Sequence, residues 1–134
     1  MGDASAVGGA DNGAGKLLQV TEERSEDGVL TVALEGELDL ATADRVREPL
    51  ERAIEAGTRR VVIDMLSCTF IDSTGLGVLL HCAKRLEEEK GGMAIVCTDE
   101  QIKRLLELTM IDRTIPVFET HEQALAEVNG TATA

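Results

Sequence analysis

Aromatic residues are almost absent from this sequence, since Phe70 and Phe118 are the only two and there is no tryptophan or tyrosine. Modules that bind single-stranded nucleic acid stack bases on aromatic side chains. Positive charge is also scarce, because 13 Lys and Arg stand against 25 Asp and Glu, a formal net charge of −12. Such a chain repels nucleic-acid phosphates and anionic membranes. We therefore expect no nucleic-acid or membrane partner, and instead a protein partner with a basic patch.

Paired cysteines and long apolar segments are missing as well. Cys68, Cys82 and Cys97 are odd in number and far apart, and each lies in an apolar segment. This pattern is typical of reduced core residues in a reducing compartment. No segment approaches the roughly 20 apolar residues of a membrane span, and the N-terminus has no signal-peptide pattern. The sequence predicts a cytoplasmic protein without disulfides.

The length of 134 residues corresponds to one domain with a core of its own. Residues 1–15 are mostly Gly, Ala, Asp and Ser without an apolar period, which predicts a disordered leader. Residues 16–129 then form the predicted domain, and residues 130–134 a frayed tail.

Apolar periodicity predicts five strands and four helices in the domain. The predicted strands are Leu17–Thr21, Val29–Leu34, Val61–Leu66, Met93–Cys97 and Ile115–Phe118, and the helices begin near Ala41, Leu76, Gln101 and His121. Strands that alternate with helices indicate an α/β fold with a mostly parallel sheet.

Three local signals add detail to this α/β fold. Asp27-Gly28 predicts a tight turn, so that the first two strands form an N-terminal antiparallel hairpin. Pro49 lies inside the first helical pattern and predicts a kink. Pro116 places the last strand at a sheet edge, because proline cannot donate to a central ladder.

The candidate functional site is the turn Asp72-Ser73-Thr74-Gly75, which lies between the central apolar strand and the helix that follows it. Open α/β sheets keep their working groups at the carboxyl ends of their strands. A serine at this place is expected to act as the helix N-cap. A phosphate on Ser73 would also face the free N–H groups of the helix N-terminus. Cap and phosphate acceptor are therefore both open roles.

Two catalytic readings of these residues are weaker. A serine nucleophile requires a positioned base, and neither His81 nor His121 is placed as a triad partner, nor is the turn a G-x-S-x-G elbow. Asp64 resembles the phosphoaccepting Asp of receiver domains, which ends a central strand, but no Lys follows the last strand. No paired carboxylates or metal-spaced His/Cys cluster is evident. We expect no enzyme activity, no metal and no cofactor.

Two blocks of sequence resemble the STAS family, and in particular its bacterial anti-sigma factor antagonists. The first is Gly36-Glu37-Leu38-Asp39, and the second is Phe70-Ile71-Asp72-Ser73-Thr74-Gly75-Leu76. The resemblance extends from about Leu17 to Val128 and implies a small STAS-like domain.

The resemblance also implies a function. The domain would bind an anti-sigma factor that is also a serine kinase, and so release a sigma factor. The kinase would use its own ATP and Mg²⁺ to phosphorylate Ser73 and let the antagonist go, and a cognate phosphatase would restore it. The implied partner-binding residues are Asp39, Asp72, Ser73, Thr74, Gly75 and Leu76. An unphosphorylated scaffold subunit of a signalling complex, with Ser73 only a cap, is the alternative.

Overall fold

The computed structural model describes the backbone of residues 18–133 and the side chains of residues 18–130. The strands in this range are β1 (Gln19–Arg24), β2 (Leu30–Leu38), β3 (Arg60–Ile71), β4 (Gly92–Val96) and β5 (Val117–Phe118). The helices are α1 (Ala43–Glu55), α2 (Ser73–Glu88), α3 (Glu100–Leu108) and α4 (His121–Thr133), with a 3-10 turn at Ile111–Arg113. None of these helices is long and apolar enough to cross a membrane.

The strands form one sheet in the order β1-β2-β3-β4-β5. β1 is antiparallel to β2, and the other neighbouring pairs are parallel. Each crossover moves to the next strand in the same direction, so right-handed connections bring α1, α2 and α3 to one face, where the larger core lies. Helix α4 covers part of the other face through Ala124 and Val128. The predicted single α/β domain with an N-terminal antiparallel hairpin and four helices is confirmed.

The hairpin turn forms where Asp27-Gly28 predicts it. Gly28 has a φ of 89°, a conformation that favours glycine, and its N–H donates to the Ser25 carbonyl at 3.1 Å. The strand bounds differ from the prediction: β1 extends to Arg24 rather than Thr21. The predicted leader, residues 1–15, lies outside the described residues. Helix α4 begins at His121, where the apolar pattern predicts it, and continues to Thr133.

Helix α1 is a single helix from Ala43 to Glu55 although it contains Pro49. Pro49 is buried with Val46 and Leu50, so the apolar face of the helix is retained while one backbone donor is lost. Tertiary packing stabilises most protein helices more than intrinsic propensity does, which explains why the helix continues through the proline.

The three cysteines are free and buried, and burial raises the pKa of the Cys82 thiol to about 11.

Strand β3 is longer than predicted, because it continues past Leu66 to Ile71. Only its first part, Arg60–Asp64, pairs with β4, whereas pairing with β2 extends to its end. The β2–β3 register shifts twice, between Ala33 and Glu35 and between Gly36 and Glu37, and each shift leaves one extra residue in β3. Bulges of this kind bend a strand and re-aim its side chains. The end of β3 therefore buries every third residue, namely Met65, Cys68 and Ile71.

Candidate functional site

Ser73 lies on the surface as the first residue of α2, directly after the carboxyl end of β3. The expected N-cap role of Ser73 is wrong, because Asp72 holds that position and its Oδ1 accepts from the Gly75 N–H at 3.0 Å. Extended backbone at Asp72 (φ −115°, ψ −176°) aims its carboxylate at the first turn. The hydroxyl of Ser73 makes no hydrogen bond with the residues that the structure describes, so it is free for chemistry.

The Asp72 carboxylate joins two loops. While Oδ1 caps α2, Oδ2 accepts from the Leu40 N–H at 3.1 Å, across the β2–α1 connection. The Asp72 N–H in turn donates to the Leu38 carbonyl at 3.2 Å. One side chain and its own backbone thus hold the Ser73 turn against the end of β2.

The β2–α1 connection is ordered by its own short-range hydrogen bonds. The Oδ1 of Asp39 accepts from the N–H groups of Ala41 (3.0 Å) and Thr42 (3.2 Å). The buried hydroxyl of Thr42 donates to the Glu37 carbonyl at 2.8 Å. Thr42 occupies the N-cap position of α1 without a side-chain cap bond, so Asp39 stabilises the turn that precedes this helix rather than its first N–H groups. Asp39 and Asp72 therefore present Leu40 beside Ser73.

Gly75 and Leu76 lie in the interior. A Cβ on Gly75 would lie 2.6 Å from the Leu38 Cγ, 3.0 Å from the Leu38 carbonyl oxygen and 3.1 Å from the Ile71 Cγ1. Leu76 is only 5% exposed. These two residues bring α2 close to the ends of β2 and β3, and Asp39, Asp72, Ser73 and Thr74 remain at or near the surface.

Two apolar side chains near Ser73 were missed as candidates in the sequence. Leu40 is 77% exposed and Phe70 is 46% exposed, although the apolar residues Leu38 and Ile71 nearby are buried. The signal that could have found them is the presence of a large apolar residue directly beside each polar motif. An alternating strand pattern cannot predict which of them is exposed, because the bulges in β3 change the alternation.

The two segments that build the site contain no Lys or Arg: residues 25–44 and 61–83 have none. Glu35, Glu37, Asp39, Asp64 and Asp72 lie within these segments. The amide N–H groups of Ser73 and Thr74 find no acceptor among the described residues, and the helix dipole makes that end of α2 mildly positive. The charged groups closest to the hydroxyl along the chain are therefore acidic, and the first cations beyond them are Arg45 and Lys84.

The geometry does not support a serine nucleophile at Ser73 or a receiver-type phosphoacceptor at Asp64. Neither His81 nor His121 hydrogen-bonds to Ser73 in the described part of the chain. The comparison of Asp64 with a receiver Asp is wrong about its position, because Asp64 does not end its strand. β3 continues for seven residues beyond it to Ile71, and Asp64 Oδ1 accepts from the Leu66 N–H at 3.0 Å.

Removing the Asp72 carboxylate tests its double role. We expect Asp72→Ala to lower the free energy of unfolding by about 1–2 kcal/mol, because α2 loses its N-cap. The substitution also removes the acceptor of the Leu40 amide, so that amide should exchange with solvent faster in a hydrogen-exchange experiment.

The matched control is Asp99→Ala. Asp99 caps α3 in the same way, since its Oδ1 accepts from the Ile102 N–H at 3.0 Å. A similar loss of stability without faster exchange at Leu40 is expected. Equal exchange at Leu40 in both variants would contradict the bridging role of Asp72.

Comparisons with known proteins find relatives over most of this chain. The family model described as the STAS domain matches residues 21–124. An anti-sigma F factor antagonist from Paenibacillus polymyxa is 34% identical over 112 residues, which cover 83% of this chain and 95% of that protein. An anti-sigma-B factor antagonist from Staphylococcus aureus is 30% identical over 101 residues, 75% of this chain and 94% of that one. The crystal structure of an anti-sigma factor antagonist from Mycobacterium paratuberculosis is 28% identical, has a TM-score of 0.77, and is matched over 85% of this chain and 96% of its own.

Proposed function

The chain belongs to the STAS family and to its anti-sigma factor antagonists, and we propose that it binds an anti-sigma factor that is also a serine kinase. Binding releases a sigma factor, and phosphorylation of Ser73 by that kinase ends the complex. A cognate phosphatase restores the unmodified form. In this proposal the protein works in the cytoplasm, has no catalytic activity and carries no cofactor, because ATP and Mg²⁺ belong to the kinase.

The observation that carries the proposal is the free, exposed hydroxyl of Ser73 on the first residue of α2. A kinase can reach such a hydroxyl without unfolding the domain. The N–H groups of Ser73 and Thr74 have no acceptor among the described residues and belong to the N-terminus of α2, and helix N-termini favour anions. Asp39 and Asp72 hold this turn and its neighbour, so they complete the proposed contact surface, while Gly75 and Leu76 support it from below.

The charge of the site explains why a phosphate would end binding. Phosphorylation adds about −1.5 to −2 charge, and the two site segments hold no Lys or Arg to neutralise it. In a closed protein–protein contact, a phosphate without a cationic partner loses its hydration without compensation. The acidic surroundings of Ser73 also favour an anti-sigma factor with a basic rim.

The test begins with the partner. The full chain with Ser73→Ala is immobilised, and proteins from a lysate of the organism that encodes it are captured in the presence of ADP. The retained anti-sigma factor, identified by mass spectrometry, is then purified and incubated with the unmodified chain and ATP.

We expect one phosphate per chain, located on Ser73 by tandem mass spectrometry. Ser73→Ala should stay unmodified, whereas Thr74→Val, which removes the neighbouring hydroxyl at nearly constant volume, should still take up one phosphate on Ser73. Phosphate on Thr74, or a bait that retains no anti-sigma factor, would contradict the proposal. A chain that is captured but never phosphorylated would instead match an unmodified scaffold subunit.

A further inference from the structure

Two exposed apolar residues lie close to the Ser73 turn along the backbone. Leu40 follows Asp39 in the β2–α1 connection, and its N–H is bound by the Asp72 carboxylate one residue before Ser73. Phe70 precedes Ser73 by three residues, about 10 Å along an extended strand. Leu40 and Phe70, hereafter the apolar pair, are 77% and 46% exposed.

Hydrogen bonds order the backbone segments that carry the apolar pair. Asp39 and Thr42 order the turn that carries Leu40, through the hydrogen bonds already described. Phe70 follows the second bulge of β3 and pairs in register with Glu37 of β2. Fixed backbone on both sides means that little conformational entropy is lost when a partner covers these side chains.

Among the residues that the structure describes, the other large apolar side chains that are exposed are Leu66, Leu108 and Met110. Leu66 lies on β3, four residues before Phe70 and seven before Ser73. Leu108 and Met110 lie at and just after the end of α3, which starts at the carboxyl edge of the sheet and runs toward the opposite edge. The apolar pair is therefore the part of this set closest to Ser73 along the backbone, and Leu108 serves as a distant comparison.

We propose that Leu40 and Phe70 are the anchors that the anti-sigma factor buries when it binds this chain. The inference rests on the proposed function and extends it: the partner has an apolar cleft for this pair, surrounded by basic side chains that face Asp39, Asp72 and Glu37. An aromatic residue at the centre of a contact commonly carries a large share of its binding energy.

The apolar pair also gives the switch a physical basis. When the partner buries the two anchors, the nearby hydroxyl of Ser73 belongs to the same contact, from which water is excluded. A phosphate on Ser73 must then lose its hydration beside apolar groups, which costs far more than the same phosphate would at an exposed rim. The pair therefore makes binding sensitive to the modification of one hydroxyl.

The experiment measures binding of the purified, captured anti-sigma factor in ADP by isothermal titration calorimetry. Leu40→Ala and Phe70→Ala are each expected to weaken the affinity at least tenfold. Leu108→Ala removes an apolar side chain that is 69% exposed at the end of α3, and it should bind within twofold of the wild type. Thermal unfolding of each variant verifies the fold.

In steady-state phosphorylation, both anchor variants should raise the KM of the kinase for this chain and leave kcat unchanged.

The outcomes separate this inference from the proposed function. If both anchor variants bind within twofold of the wild type while phosphorylated chain binds weakly, the anchor role is overturned and the proposed function stands. If Leu108→Ala weakens binding as much as Phe70→Ala does, the contact lies elsewhere and the inference is again overturned. If the Ser73→Ala bait captures no anti-sigma factor, the proposed function fails and the inference fails with it.

Discussion

Phosphorylated wild type and Ser73→Asp are expected to bind the anti-sigma factor at least thirtyfold more weakly than the unmodified chain, and Ser73→Ala is expected to bind it persistently. A loss of thirtyfold corresponds to about 2 kcal/mol. The physical reason is the desolvation of a negative group where the two site segments supply no Lys or Arg. Calorimetric titration in ADP measures the affinities, because without ATP the proposed kinase activity of the partner cannot modify the wild type during the experiment.

The charge control for this prediction is Gln19→Glu. Gln19 is exposed on the edge strand β1, so the substitution adds one negative charge to the domain outside the site. It should leave the affinity within twofold of the wild type. A similar loss of affinity in Gln19→Glu and Ser73→Asp would assign the effect to net charge instead of to the position of Ser73.

A Gly75→Ala variant is expected to be less stable than the wild type in urea denaturation, by up to about 2 kcal/mol. The new Cβ would lie 2.6 Å from the Leu38 Cγ and 3.0 Å from the Leu38 carbonyl oxygen. Leu38 is fully buried, so it has no free space into which to move. Overpacking of this kind costs roughly 1–3 kcal/mol, against the roughly 1 kcal/mol that alanine gains over glycine within a helix.

The matched control lies two residues further along the same helix. Gly77 is exposed, and a Cβ there would meet nothing within 4 Å. Gly77→Ala should therefore raise the free energy of unfolding by about 0.5–1 kcal/mol through helix propensity alone. Effects of the same sign in the two variants would contradict the packing explanation. The Asp72 N–H donates to the Leu38 carbonyl, so a displacement of Leu38 should also shift the Ser73 turn. Gly75→Ala should therefore slow phosphorylation of Ser73 as well.

The assignment of the cap shows where local sequence reasoning was incomplete. Both Asp72 and Ser73 are good N-cap residues, and the spacing of apolar residues in α2 does not say which of them begins the helix. The end of β3 decides it: Ile71 is buried and paired with Leu38, which leaves Asp72 in extended conformation with its carboxylate over the first turn. Ser73 is consequently free to accept a phosphate without the loss of a cap.

The exposed apolar residues near Ser73 show a second limit. Val61, Val62 and Ile63 form a run that is buried on both faces, and such a run predicts a central strand well. Beyond Asp64 the strand leaves β4 and pairs with β2 alone. Its burial then depends on two bulges, which arise from pairing between strands distant in sequence. No local pattern predicts that Phe70 turns outward while Ile71 turns inward.

Local sequence patterns were enough to predict the α/β class, the N-terminal hairpin, the order of strands and helices along the chain, and the turn that contains Ser73. These features follow from the period of apolar residues and from turn-forming glycine, which act over a few neighbouring positions. Long-range contacts were needed to identify Asp72 as the cap and to show that its carboxylate joins Leu40 to α2 across 32 positions of the chain. The exposure of Leu40 and Phe70 beside Ser73 was likewise decided there, because long-range pairing determines which side chains the sheet buries.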